Sequence, residues 1–180
     1  MYNRPLAYFI TFTTYGTWLH GDERGSVLIE QNQAKQIYPS DCFYNHQKQQ
    51  MKYPAVVLDS DQRDIVLQTI VAHCTLKSWR LYASHVRSNH VHLLVFCTEK
   101  PDKVMGELKA WATRKLRQAH YTIPKIWTQH GSTQLVFTQN KLKEKIRYII
   151  LEQGDPMAYY YDELFQDTLG SSGKRKRADL

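Results

Sequence analysis

The sequence predicts an α+β domain of ferredoxin-like (RRM-like) plan: an antiparallel sheet with helices on one face, plus an extra C-terminal helix. Three observations lead there. Runs of strand and helix character follow the order strand, long loop, helix, strand, strand, helix, strand, helix, which is the βαββαβ plan extended by one helix. The link between the two middle strands, Arg87-Ser88-Asn89, is short enough to imply an antiparallel hairpin, though not a standard two-residue turn. A chain of 180 residues with 42% hydrophobic content can bury one sizeable core. A single domain is therefore expected over residues 1–169, with a long insertion at about 20–58. The segment GSSGKRKRADL, 170–180, is expected to be a disordered basic tail with Lys174 to Arg177 available to phosphates.

The first element is LAYFITFTT, Leu6 to Thr14, whose aromatic and β-branched residues suit a strand. YGTWLHGDERGSV follows, with three glycines among charges, and reads as a loop. From His20 to about Tyr53 there is no strong period. A structureless loop that long is uncommon, so the stretch is either a functional flap or holds short elements. Asp59 followed three residues later by Gln62 is a capping-box pattern, and Ile65, Val66, Ile70 and Cys74 continue it as one helical stripe.

Two strand-like runs come next, Trp79 to Val86 and His90 to Cys97. Pro101-Asp102 opens a second helix to about His120, with Val104, Leu108, Trp111 and Ala112 inward and Lys109, Arg114, Lys115 and Arg117 on its other faces. Ser132 to Thr138 reads as a short strand. Asn140 is expected to cap a third helix running to about Gln153.

Composition narrows the function class. No apolar run approaches the ~20 residues a membrane helix needs, and the first residues lack the apolar core of a secretory signal. Cys42, Cys74 and Cys97 are odd in number and far apart, which fits a reducing cytoplasm and no disulfide framework. Lys plus Arg number 24 against 17 Asp plus Glu, a formal charge of +7, which favours a polyanionic partner such as nucleic acid.

The unusual chemistry lies in RSNHVHLLVF. A strand has a period of two, so His90 and His92 point to one face of what otherwise reads as a buried strand. Adjacent imidazoles suit a shared cation, although two histidines are only a fragment of a metal site. In KLKEKIRYIILEQG, Leu142, Ile146, Ile149 and Ile150 form a core-facing stripe. Tyr148 and Glu152, four apart, share a flanking face. By itself that helix favours a packing tyrosine and an exposed glutamate.

SNHVHLLV resembles the histidine–hydrophobe–histidine (HUH) motif of single-tyrosine transposases. It is especially similar to the form found in REP-associated tyrosine transposases and their IS200-like insertion-sequence relatives. Asn89 matches the asparagine that commonly precedes the first histidine, and the helix opening RYI matches the family's nucleophile helix. The opening AYFITFTTYGTWLHGDERGSV and the stretch WTQHGSTQLVF also resemble one branch, so the likeness spans roughly Leu6 to Gln153.

The resemblance implies His90 and His92 as metal ligands and Tyr148 as nucleophile. The family's third ligand is an amide four residues after that tyrosine. Here that position is Glu152, with Gln153 the second choice. It implies Mg²⁺ or Mn²⁺ as cofactor and single-stranded, hairpin-bearing DNA as partner, with no membrane. Lys109, Arg114, Lys115, Arg117 and Arg24 are the expected DNA contacts. A homodimer is possible, because some relatives swap the tyrosine helix between subunits while others work as monomers. The implied activity is transposase strand transfer through a 5′-phosphotyrosine, the alternative being a domesticated relative that binds hairpin DNA without cutting it.

Overall fold

A computed structural model of the chain describes residues 4–30 and 33–169. The expected basic tail, including Lys174 to Arg177, lies outside the described residues. Strand β1 (Ala7–Thr13) is followed by a two-stranded hairpin, β2 (Ser26–Glu30) and β3 (Gln33–Ile37), then α1 (Asp41–Gln49), α2 (Ser60–Leu76), β4 (Arg80–Val86) and β5 (His90–Phe96). Helix α3 (Pro101–Gln118), β6 (Ser132–Val136), α4 (Gln139–Leu151), β7 (Ala158–Tyr161) and the short α5 (Gln166–Leu169) complete the order.

The main sheet runs β6-β1-β5-β4-β7, and every pairing is antiparallel. Its first four strands have the neighbour order of a βαββαβ ferredoxin-like unit, so the expected fold class is the observed one. Alternation along β1 and β5 divides the core. Ile10, Phe12, Val91, Leu93 and Val95 pack with Val66 and Ile70 of α2 and with Val104 and Leu108 of α3. Phe9 and Leu94 face the other way, onto Leu142, Ile146, Ile149 and Ile150 of α4. Each such fully buried aliphatic contributes about 1.5–3 kcal/mol relative to exposure. Helices α2 and α3 thus share one face, and the C-terminal helix α4 takes the opposite one.

Local signals explain most boundaries. Asp59 and Gln62 form the reciprocal capping box read from the sequence, with Gln62 N–H on Asp59 Oδ1 at 2.8 Å and Asp59 N–H on Gln62 Oε1 at 3.1 Å. The β4–β5 turn closes with Arg87 N–H donating to His90 O at 2.8 Å.

Three expectations need correction. The cap of α4 is Thr138, not Asn140: its backbone is extended and its hydroxyl accepts from Lys141 N–H, which is the N3 position. Of the two readings of the 20–58 stretch, the structure shows the short elements, β2, β3 and α1, the last with no buried residue to impose a periodicity. The edge strand β7 lies in a segment for which no strand was expected. On α3, Trp111 is only partly buried, while Lys109 turns inward on the stripe Met105, Lys109, Ala112, Leu116. All three cysteines are free, and Cys74 and Cys97 are buried core filler. Among the described residues no helix is long and apolar enough to cross a membrane.

Candidate active site

The α4 face of the sheet carries the polar chemistry. His90 and His92 point to it from β5, opposite Thr13 and Thr11 of β1, and their ring centroids lie 4.6 Å apart. Each imidazole is held at its Nδ1 side. Nδ1 of His90 lies 2.7 Å from Asn89 Oδ1, an acceptor only, so His90 carries its proton on Nδ1 and keeps a lone pair on Nε2. Nδ1 of His92 lies 2.7 Å from Thr11 Oγ1, which fixes that ring in the same sense when the hydroxyl accepts. His92 also stacks on Phe9 at 5.5 Å. Burial disfavours the imidazolium at both sites: His90 is pushed below its ordinary range, and His92 down to about 3, with the neighbouring His90 adding to the effect. Both rings are neutral at physiological pH, the form that binds metals.

Tyr148 comes to this pair within one chain. Its ring is 5.5 Å from that of His92 and 5.9 Å, edge-on, from Phe9. The α4 stripe packed on the sheet sets that distance, because Ile146 and Ile149 are buried before and after the tyrosine. Lys145, one turn earlier, holds its ammonium 4.6 Å from the Phe9 ring centroid and 5.6 Å from that of Tyr148. A positive charge therefore stands beside the phenol.

The third donor is not where helical arithmetic put it. Helix α4 ends at Leu151, and Glu152 is its C-cap with φ −109°, exposed to solvent. Gly154 then adopts φ +74°, a turn that residues with a Cβ rarely make. With the last turn unwound, Gln153 folds back. Its Nε2 donates to Tyr148 O at 3.1 Å, and its amide lies close enough to both imidazoles to oppose the downward shift of each. The five-residue spacing through a broken turn thus achieves what four residues would in a continuous helix. Glu152, the first-choice ligand from sequence, does not join the histidines. Among the described residues no group of three or more His, Cys, Asp or Glu side chains is arranged to hold a metal ion. The side chain that approaches both histidines from the end of α4 is a neutral amide.

A third histidine underlies the site. His85, fully buried on β4 and opposite His92 in register, uses both ring nitrogens internally. Nδ1 meets Ile149 O at 2.8 Å, and Nε2 accepts from Met157 N–H at 3.1 Å. It therefore bolts the end of α4 and the approach to β7 onto the sheet. Desolvation lowers its pKa to about 4.

The basic residues divide. Arg114, Lys115 and Arg117 are exposed on α3, as expected. Arg114 and Arg117, with Lys125, line an open basin of about 730 Å³. Its floor is laced to the end of β1 through Thr128 N–H on Thr13 O and Tyr15 N–H on Ile126 O, so the basin lies at the His90 end of the sheet. Lys109 is not a surface cation. Its amine donates to Thr128 O, Gln129 O and His130 O at 2.9, 3.4 and 3.0 Å, and desolvation lowers its pKa to about 8. A long side chain at an inward position reaches polar groups in this way. Trp127 is buried, donating to Lys109 O, and is no stacking ring. Arg24 stands in the β1–β2 loop, near enough for its charge to act on His90.

A family model described as "Transposase IS200 like" matches residues 43–149, more than half of the chain. The chain belongs to the IS200-like transposase family. The match includes both histidines and Tyr148 and stops short of Gln153. A REP-associated tyrosine transposase, solved bound to a REP hairpin, has the same fold, with a TM-score of 0.51 and 12% identity over 84% of this chain and 68% of that one. At that identity the likeness speaks for the fold. No curated protein matches.

One residue of this IS200-like site escaped the sequence reading. His85 stands five residues before the HxH pair with nothing local to distinguish it. Gln153, the second choice from sequence, carried one further signal, the glycine that follows it and ends the helix.

Proposed function

We propose that this IS200-like protein is a metal-dependent DNA strand transferase. It cleaves and rejoins single-stranded, hairpin-bearing DNA through a 5′-phosphotyrosine formed on Tyr148. The observation that carries the reading is the meeting of Tyr148 with His92 at 5.5 Å inside one chain, beside a second neutral imidazole and an amide. That proximity favours an active site working in cis.

The donor set fits a hard divalent ion. Nε2 of His90 and of His92 with the amide oxygen of Gln153 would hold Mg²⁺ or Mn²⁺, Mn²⁺ accepting imidazole more readily. When bound, the ion supplies Lewis-acid neutralisation of a phosphodiester and a template for its oxygens. The chain supplies the rest. Asn89 and Thr11 keep the two Nε2 edges turned to the site, and burial keeps both rings unprotonated. Lys145 stabilises negative charge as Tyr148 Oη gives up its proton. The phenolic oxygen attacks phosphorus, the bond to the 3′ oxygen breaks, and that oxygen takes up a proton. The phosphotyrosine retains the bond energy for rejoining to another 3′-hydroxyl without ATP. Arg114, Lys115, Arg117 and Lys125 contact phosphates of the DNA outside the reacting centre.

The test is incubation of the full chain with hairpin-bearing single strands from the flanks of its own gene, with Mn²⁺ or Mg²⁺. A covalent protein–DNA adduct is expected. Tyr148→Phe lowers its formation by at least about a thousandfold, as loss of a nucleophile does. Retardation of the oligonucleotide without adduct in either form identifies a binding-only relative. Cleaved product with no protein-linked DNA identifies a phosphodiesterase that uses water.

A further inference from the structure

The β1–β2 loop holds an aromatic side chain in a pose that the catalytic reading does not use. Trp18 is 37% exposed, unusual for so large a ring outside an interface. It is not loose. Its Nε1–H donates to Gly25 O at 2.8 Å, and the Arg24 guanidinium lies over its ring, 4.4 Å from the centroid. Arg24 is itself fixed, donating to both Asp22 carboxylate oxygens at 2.6 Å and to Thr17 O at 2.9 Å. One side of the indole is thus capped by a held cation, and its edge is tied to backbone.

The loop is also anchored to the reacting centre. Thr14 N–H donates to Asn89 O at 2.9 Å, and the hydroxyl oxygens of Thr14 and Thr17 lie 3.1 and 3.2 Å from the same carbonyl. Asn89 is the residue whose side chain takes the Nδ1 proton of His90. Trp18 therefore stands one residue from a direct tether to the support of the first histidine. On the outer side, Ser40 N–H on Gly21 O and the stacking of His20 on Phe43 brace the loop against α1.

We infer that Trp18, backed by Arg24, is a stacking subsite for one unpaired base of the DNA strand beside the His90–His92 centre. This deepens, and rests on, the reading of the chain as a single-strand transferase. An aromatic ring accepts any base on its face. A guanidinium on the far side strengthens the stack by cation–π attraction. Because hydrogen bond, cation and anchored loop already hold the ring, little side-chain freedom is lost on binding. Strand transfer needs the scissile phosphate held still at the site of attack. A base gripped on the loop tethered beside the imidazoles provides that hold without reading sequence.

The experiment uses the full chain in metal-free buffer and a fluorescent hairpin oligonucleotide with a single-stranded flank. A parallel series carries an abasic site at each flank position in turn. Wild-type protein should lose binding on the order of tenfold at one abasic position. Trp18→Ala should lose a similar factor with the intact strand and nothing further at that position. Trp18→Phe, which keeps an aromatic face, should retain most of the affinity and reports on folding by its unchanged melting temperature. Equal affinity of Trp18→Ala and wild type across the series overturns the subsite. Adduct formation on Tyr148 once Mn²⁺ is added to the same samples would then leave the strand-transfer reading standing. No binding by the wild-type chain overturns both.

Discussion

On the α2/α3 face, strand β5 contributes Val91, Leu93 and Val95, none with any exposed surface; on the α4 face the same strand contributes His90, His92 and Leu94. The residues alternate one by one, so the same backbone serves both faces. The first is an ordinary apolar interior, where each side chain contributes by leaving water. The second gives up part of that contribution at its His90 end, where two neutral imidazoles, Thr11, Tyr148 and Gln153 meet. The three histidines of this face sharpen the contrast. His85 has both nitrogens bonded inside the protein, whereas His90 and His92 each commit Nδ1 to a neighbour and turn the other edge to the site. A histidine with both nitrogens spent is structural; one with a spare lone pair, fixed by a neighbour, is built to receive something.

The largest effect should come from the apolar face. Leu93→Ala removes a fully buried side chain between α2 and α3 and should cost about 2–5 kcal/mol in denaturant unfolding. His90→Ala, two residues from the end of an apolar run and partly exposed, should cost far less stability while removing Mn²⁺ binding measured by calorimetry. Equal losses of stability would break the distinction between the faces.

The next effect is pH-dependent and comes from His85. Its folded pKa, about 4, lies below the ordinary 6.5, so between these values the unfolded chain binds a proton that the folded chain refuses. Stability from this group is fully present above pH 6.5, falls as pH drops from 6.5 towards 4, and then levels. The total is at most about 3 kcal/mol. His85→Gln should flatten that part of the stability–pH curve; an unchanged slope would show that His85 is not a source.

Smaller still is the layer around the proposed metal ligands. Thr11→Val keeps shape but removes the oxygen beside His92 Nδ1, and should weaken Mn²⁺ binding by about 10–100-fold with little change in melting temperature. The smallest contrast separates neighbours. Gln153→Ala should weaken Mn²⁺ binding clearly, and Glu152→Ala should leave it within about twofold, as for a surface side chain with no role. The reverse result would restore Glu152 as the third ligand.

Much of this architecture was legible in the chain because it rests on local rules. The capping box at Asp59 and Gln62, the period-two runs of β1, β4 and β5, and the α4 stripe each depend on residues within one or two turns of each other. The pairing of His90 with His92 follows from strand geometry alone. Where reading failed, a distant partner overrode a local signal. Lys109 sits on a face that its charge argues against, because carbonyls 128–130 arrive from another segment to receive its amine. Edge strand β7 exists because β4 offers an unpaired side to AYYY, a segment without strong alternation.

The sequence by itself determined the fold class, the imidazole pair and the helix that bears Tyr148, since periodicity and spacing are properties of a single stretch of chain. Only the tertiary structure decided that Gln153 rather than Glu152 meets the histidines, that His85 pins α4, and that Tyr148 reaches His92 within its own chain. Those outcomes depend on where α4 stops and how it lies across the sheet. Gly154 marks the first locally, but the second is set by contacts such as His85 on Ile149, between residues more than fifty positions apart, which no local pattern encodes.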